Sequence, residues 1–173
     1  MSNVGPETTA WFKGRLPKDW FTAAPELSAD RDEVVLVGRL ADVELEKGAS
    51  DAAVASAREG RITRFREETR GERMKIADEV ESKWGRKLSW GVAVGDQTVM
   101  FTHLGVPVMT RLRLQERLTL DTLVDAGVAR TRSDALSWCV KLVAKNEEKW
   151  LGELRDAFKN VEKVRKSGPS ASA

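Results

Sequence analysis

The sequence predicts an α+β protein in which a small strand–helix–hairpin unit is followed by a strand, two helices and a further amphipathic helix. Three observations predict it. Glu33–Leu40 reads EVVLVGRL, a β-branched run bounded by the acidic cluster Asp30–Asp32 and by Ala41-Asp42, which is the pattern of a strand. Residues 50–84 contain no proline and carry apolar residues at helical spacing. Lys87–Val94 and Gln97–Leu104 flank Gly95-Asp96, the signature of a hairpin with a two-residue turn.

Composition sets the class. A chain of 173 residues with 41% hydrophobic and 32% charged side chains can bury a core in one domain or two small ones. No apolar run approaches the roughly 18 residues that cross a bilayer. The opening MSNVGPETTAW has neither a basic start nor an apolar core, so no secretory signal is expected. The single cysteine, Cys139, forms no internal disulfide, and a cytoplasmic location is the expectation.

Catalysis has no candidate constellation. His103, the only histidine, falls in the predicted second hairpin strand and is expected to be a half-buried structural residue. Cys139 lies among Trp138, Val140 and Leu142, the setting of a buried, inert thiol. Glu67 and Glu68 are neighbours pointing about 100° apart on a helix, so they make no acid–base pair. Without a His/Cys cluster or a phosphate-loop glycine pattern, neither a metal nor a cofactor is expected. A binding protein rather than an enzyme is the reading that remains.

The elements follow in order. In residues 1–31, Trp11-Phe12 and Trp20-Phe21 are interleaved with Gly14, Pro17 and Pro25, which reads as an extended arm. Its aromatic pairs either pin it to the domain at 32–104 or bind a protein partner. The helix over 50–84 is capped by Ser50 or Asp51 and buries Val54, Ile62, Phe65, Ile76, Val80 and Trp84. Its middle, Arg64–Arg73, is almost entirely charged and contains Gly71, so it is expected to be solvated or kinked. Residues 51–85 carry 8 basic and 8 acidic side chains, a balance that fits helix-face pairing rather than a nucleic-acid arm.

Charge is distributed unevenly. Residues 1–85 hold 14 basic and 17 acidic side chains, whereas residues 86–173 hold 15 and 10. A basic second half points to a polyanionic partner. Within it, Val106–Arg113 reads as a strand, Gln115–Ala126 as a helix stopped by Gly127, and Thr131–Ser133 as the start of a second helix. Alternation places Val106, Val108, Thr110 and Leu112 on one strand face, and Pro107, Met109, Arg111 and Arg113 on the other.

The order strand, helix, Gly127, capped helix over residues 106–143 resembles the ribbon-helix-helix family of MetJ/Arc and CopG-type repressors. The matching pieces are Arg111-Leu112 at the strand's end, Leu120-Asp121 and Leu123 in the first helix, and Gly127 followed by Arg130-Thr131-Arg132-Ser133-Asp134-Ala135-Leu136. The resemblance implies a homodimer whose paired strands lie in the major groove of double-stranded DNA. It implies that Arg111 and Arg113 face the groove, and that Arg130, Thr131, Arg132 and Ser133 meet phosphate at the second helix's start. Pro107 and Met109 depart from the polar groove face of that family and reduce readout of base edges. The module spans 105–146, with an amphipathic helix over 147–166 and a frayed tail at 167–173; helical pattern already runs from Ala144. Two functions fit: a DNA-binding regulator or chromosome-associated factor, or a protein-interaction or ribosome-associated factor that keeps the dimer without reading DNA. The whole chain also resembles uncharacterised proteins of high-GC actinobacteria, which implies a host and no activity.

Overall fold

A computed structural model describes residues 4–46 and 48–166, which separate into two compact units, Met1–Pro107 and Val108–Ala173. The first unit contains α1 (Pro6–Arg15), β1 (Glu26–Ala29), β2 (Glu33–Arg39), α2 (Asp51–Glu68), α3 (Arg70–Trp84), β3 (Lys87–Val94) and β4 (Gln97–Met100). The second contains α4 (Leu114–Asp125), α5 (Arg132–Asn146) and α6 (Glu148–Lys166). The frayed tail expected at 167–173 lies outside the described residues.

The first unit is built on one sheet of order β1-β2-β3-β4. β1 and β4 pair antiparallel with their neighbours, while β2 and β3 run parallel, Leu36 opposite Trp90, with α2 and α3 as the crossover between them. A central strand covered on both faces reads as a continuous apolar run. That is why every residue of β3 after Lys87 is buried. One cluster joins Phe12, Ala29, Val34, Leu36, Ile76, Val80, Leu88 and Trp90, and a second joins Leu40, Ile62, Phe65, Val92 and Val94.

The N-terminal segment is not an extended arm. Pro6 and Glu7 open a helix, as a fixed φ and an acidic first turn favour, and Phe12 on it is only 1% exposed. Trp11 meets Trp84 edge to face at 5.1 Å, and Phe12 stacks on the same indole at 6.4 Å. Arg15 then locks α1 to α3, with Nε and Nη2 donating to the two Glu79 carboxylate oxygens at 2.7 Å each and Nη1 lying 3.0 Å from Glu72. Trp20 and Phe21 turn inward onto Phe65, at 5.5 and 5.7 Å. A Cβ at Gly38 would collide with the Phe21 ring, so the β2 position beneath that ring has room for glycine alone. Of the two roles open to the four aromatics, pinning the segment to its own domain is the one that these contacts serve.

Two other boundaries bear on expectation. The helix over 50–84 starts at its Ser50 cap, whose Oγ accepts from the Ala53 N–H, and divides at Thr69, inside the Arg64–Arg73 stretch expected to be solvated or kinked. The Thr69 hydroxyl donates to the Phe65 carbonyl at 2.6 Å, a local bond that competes with a continuous helix. β4 ends at Met100 instead of Leu104, which leaves His103 exposed outside the sheet rather than half-buried within it.

Candidate nucleic-acid interface

The second unit begins with the segment expected to form a strand. Residues 106–113 make no strand pairing among the described residues and take no regular structure. A strand exists only where its N–H and C=O groups find another strand, and the three helices that follow supply none. Neither alternating face is covered, since Val108 is 86% exposed and Met109 93%. Arg111 is exposed too, with no ion pair or hydrogen bond among the described residues.

Arg113 sits at the N-cap of α4, where its backbone N–H donates to the Glu116 carboxylate. Such a reach from N3 back to the cap satisfies part of a helix start. The Arg117 guanidinium secures the same start by donating to the Leu112 carbonyl at 2.6 Å. Gly127, at φ +73°, ends the helix. Its N–H donates to the Val124 carbonyl at 2.9 Å and that of Val128 to the Leu123 carbonyl at 3.0 Å. This is the Schellman arrangement, in which a left-handed glycine lets the last carbonyls find donors.

The α5 start gathers four of the expected site residues. Thr131 is the cap, its Oγ1 accepting from the Asp134 N–H at 3.1 Å, while Ser133 stands one position inside the helix and exposed. Arg130 is exposed, with no carboxylate partner among the described residues. Arg132 pairs within the unit. Its Nε and Nη2 donate to the two Asp121 carboxylate oxygens at 2.6 and 2.7 Å, a fork that ties α5 to α4. The guanidinium holds the Asp121 carboxyl below the usual range, and the carboxylate raises Arg132 in return. The Arg132 side chain stays 60% exposed while it makes this pair. The sequence shows both residues but gives no local signal for a pair that spans two helices.

The rest of the unit leaves its apolar surface open. Leu120 and Ala135 are its buried hydrophobic residues. Cys139, expected to be buried, is only half-covered, and Trp138, Val140 and Leu142 around it are exposed. The last helix begins at Glu148, within one residue of the expected 147–166, and the helical run from Ala144 is divided at Glu147. It presents Trp150, Leu154, Phe158 and Val161 at spacings of four, four and three, which puts them on one face. Among the described residues no three His, Cys, Asp or Glu side chains cluster to hold a metal ion, and no helix is long and apolar enough to cross a membrane.

Two family models match the chain, and they divide it as the fold does. One, described as Rv1265-like protein, N-terminal domain, covers residues 6–100; the other, described as Mb1296 C-terminal domain, covers residues 113–165. The uncharacterized proteins Mb1296 of Mycobacterium bovis, and MT1303 and Rv1265 of Mycobacterium tuberculosis, are each 55% identical over 163 residues. Each alignment covers 94% of this chain and 70% of the relative. No solved structure matches the chain. With one model matching more than half of its length and relatives 55% identical over 94% of it, the chain belongs to the Rv1265-like protein family.

Proposed function

We propose that the second unit forms a homodimeric ribbon-helix-helix module that holds double-stranded DNA, as a transcriptional regulator or chromosome-associated factor. One observation carries the reading: residues 106–113 lie unpaired beside helices whose apolar side chains are mostly exposed. A second copy supplies what is missing, a strand for the strand and an apolar face for the apolar face. The last helix favours the same partner. Residues 147–156 carry four acidic and two basic side chains, and residues 157–166 carry four basic and one acidic. Two copies of α6 packed antiparallel set each acidic half against a basic one.

In this dimer the polyanion contacts fall to Arg111 on the ribbon and Arg130 before α5, since neither is engaged elsewhere. Arg132 joins only by sharing its fork with Asp121. Titration against duplex DNA at two salt concentrations tests the reading. Each phosphate contact releases roughly one counterion, so Arg130→Ala should lower the salt slope by about two per dimer on every sequence. Arg111→Ala should discriminate between sequences, if only weakly, because Pro107 and Met109 flank it.

The exposure of Val108 and Met109 favours a second reading, in which the ribbon's outer face meets a protein, as in an interaction or ribosome-associated factor. A dimer without affinity for duplex DNA at low salt would select it.

A further inference from the structure

The first unit contains a basic stripe that its own fold leaves uncompensated. Arg66, Arg70 and Arg73 follow one another at spacings of four and three across the junction of α2 and α3, so they share a face. Arg73 is only 8% exposed. Its Nε donates to Thr69 Oγ1 at 3.0 Å and its Nη2 to the Arg66 carbonyl at 2.7 Å. Its guanidinium lies 4.9 Å from the centre of the Phe101 ring and 5.9 Å from that of Trp90. These contacts satisfy hydrogen-bond donors, yet none carries a negative charge, and a buried cation without a counter-charge is costly. Burial and the nearby positive charges of Arg66 and Arg70 push the Arg73 guanidinium down from its ordinary value, with no carboxylate acting the other way.

The stripe opens into space. A cavity of about 520 Å³ is lined by the three arginines together with Glu67, Met74 and Phe101. It shares Thr63, Arg66 and Phe101 with a second hollow of about 850 Å³ between α2 and β4, whose walls include Ala55, Ile62 and Val99. Three guanidiniums and one carboxylate sum to two positive charges at one end, and the adjoining groove mixes apolar walls with Gln97, Thr98 and one further carboxylate, Glu59. Both hollows fall in the size range of small-molecule sites.

We propose that this cavity binds a small phosphate monoester with an apolar body, the phosphoryl group between Arg66, Arg70 and Arg73 and the body along the groove beside Phe101. A monoester is close to a dianion at neutral pH, matching the site's charge, and planar guanidiniums meet phosphoryl oxygens in pairs. The bound group supplies the counter-charge that Arg73 lacks. The site lies wholly within the first unit and is independent of how the second unit engages DNA.

Calorimetric titration of the full chain with phenyl phosphate and with inorganic phosphate, at about pH 7.5 in chloride-poor buffer, tests this. Phenyl phosphate should bind, and inorganic phosphate should bind at the same place more weakly. Arg66→Ala and Arg70→Ala, both at exposed positions, should each weaken binding about tenfold or more while leaving the thermal midpoint of the free protein unchanged. Arg73→Met should abolish binding. It should also leave the free protein's midpoint unchanged or raised if the charge is a burden awaiting a ligand, whereas a large fall would mark Arg73 as purely structural and count against the proposal. Absence of binding by both probes, or binding indifferent to Arg66→Ala and Arg70→Ala, overturns it. Displacement of phenyl phosphate by duplex DNA, with DNA affinity falling in the same two variants, would make the stripe a nucleic-acid contact and overturn it as well.

Discussion

The two units bury their apolar residues very differently. The first closes Phe12, Val34, Leu36, Ile76, Val80, Val92 and Val94 beneath a four-stranded sheet and its helices, each with almost no exposed surface. The second, with three helices, buries Leu120 and Ala135 and leaves Leu118, Trp138, Val143, Trp150 and Phe158 open. Both are helical in good part, so helix content does not separate them. Non-local strand pairing does: it wraps the first unit around its own core, whereas the second has a strand-like segment with nothing to pair with. A unit that folds around itself draws stability from its own contacts; in the proposed dimer, one that exposes its seam draws it from another copy and therefore from concentration.

Substitutions sharpen the contrast. The largest effect is expected from Phe12→Ala, which empties a site packed by Trp11 and Trp84 and should destabilise the first unit by about 3–5 kcal/mol. Urea unfolding followed by tryptophan fluorescence checks it, and the loss should be the same at every protein concentration. Phe158→Glu should act the other way round. At 70% exposure the side chain contributes little to the isolated chain, but a charge on the α6 face should raise the dimer dissociation constant about tenfold to a hundredfold, read by dilution in size-exclusion chromatography. A loss of secondary structure in that variant at high dilution would mean that α6 is held within the chain. Gly127→Ala, at φ +73°, should cost about 1 kcal/mol in thermal denaturation, a loss confined to the α4–α5 hairpin.

The smallest effect concerns acid. The Arg15 fork holds Glu79 below its ordinary value, and the Arg132 fork does the same to Asp121. A depressed carboxyl contributes stability above its unfolded pKa, about 4.3 for Glu and 3.9 for Asp, and loses it as pH falls through the lower folded value. Both pairs are exposed, so the contribution is slight. Thermal midpoints of Glu79→Gln and the unmodified chain should differ at pH 6 and converge as pH falls below the unfolded carboxyl value of about 4.3 and through the lower folded one.

Local signals carried much of the fold into the sequence. The β-branched run of β2, the Gly95-Asp96 turn, the Gly127 stop and the Thr131 cap each announce themselves within a few residues. β1 does not: ELSA holds no β-branched residue, and its strand exists because Leu27 lies opposite Leu36. The parallel pairing of β2 with β3 is equally non-local, joining residues separated by two helices. α1 was hidden because Trp11 and Phe12 are adjacent rather than spaced by a turn, and both find partners on α3. In the candidate interface, Arg130 and Thr131 were legible as residues at a helix start, but the Asp121–Arg132 fork was not, since its ends are eleven positions apart across a turn. The Arg66, Arg70 and Arg73 stripe was visible as spacing and was absorbed into the charge balance of a helix. Only the junction at Thr69 brings it against Phe101.

Sedimentation equilibrium of the full chain at micromolar concentration tests the central claim most directly, that the second unit is completed by its own copy. The account predicts a mass twice that of the 19.2 kDa chain, shifting toward monomer with Phe158→Glu. A single species of 19.2 kDa across the concentration range would contradict it, and with it the paired ribbon on which the DNA reading depends.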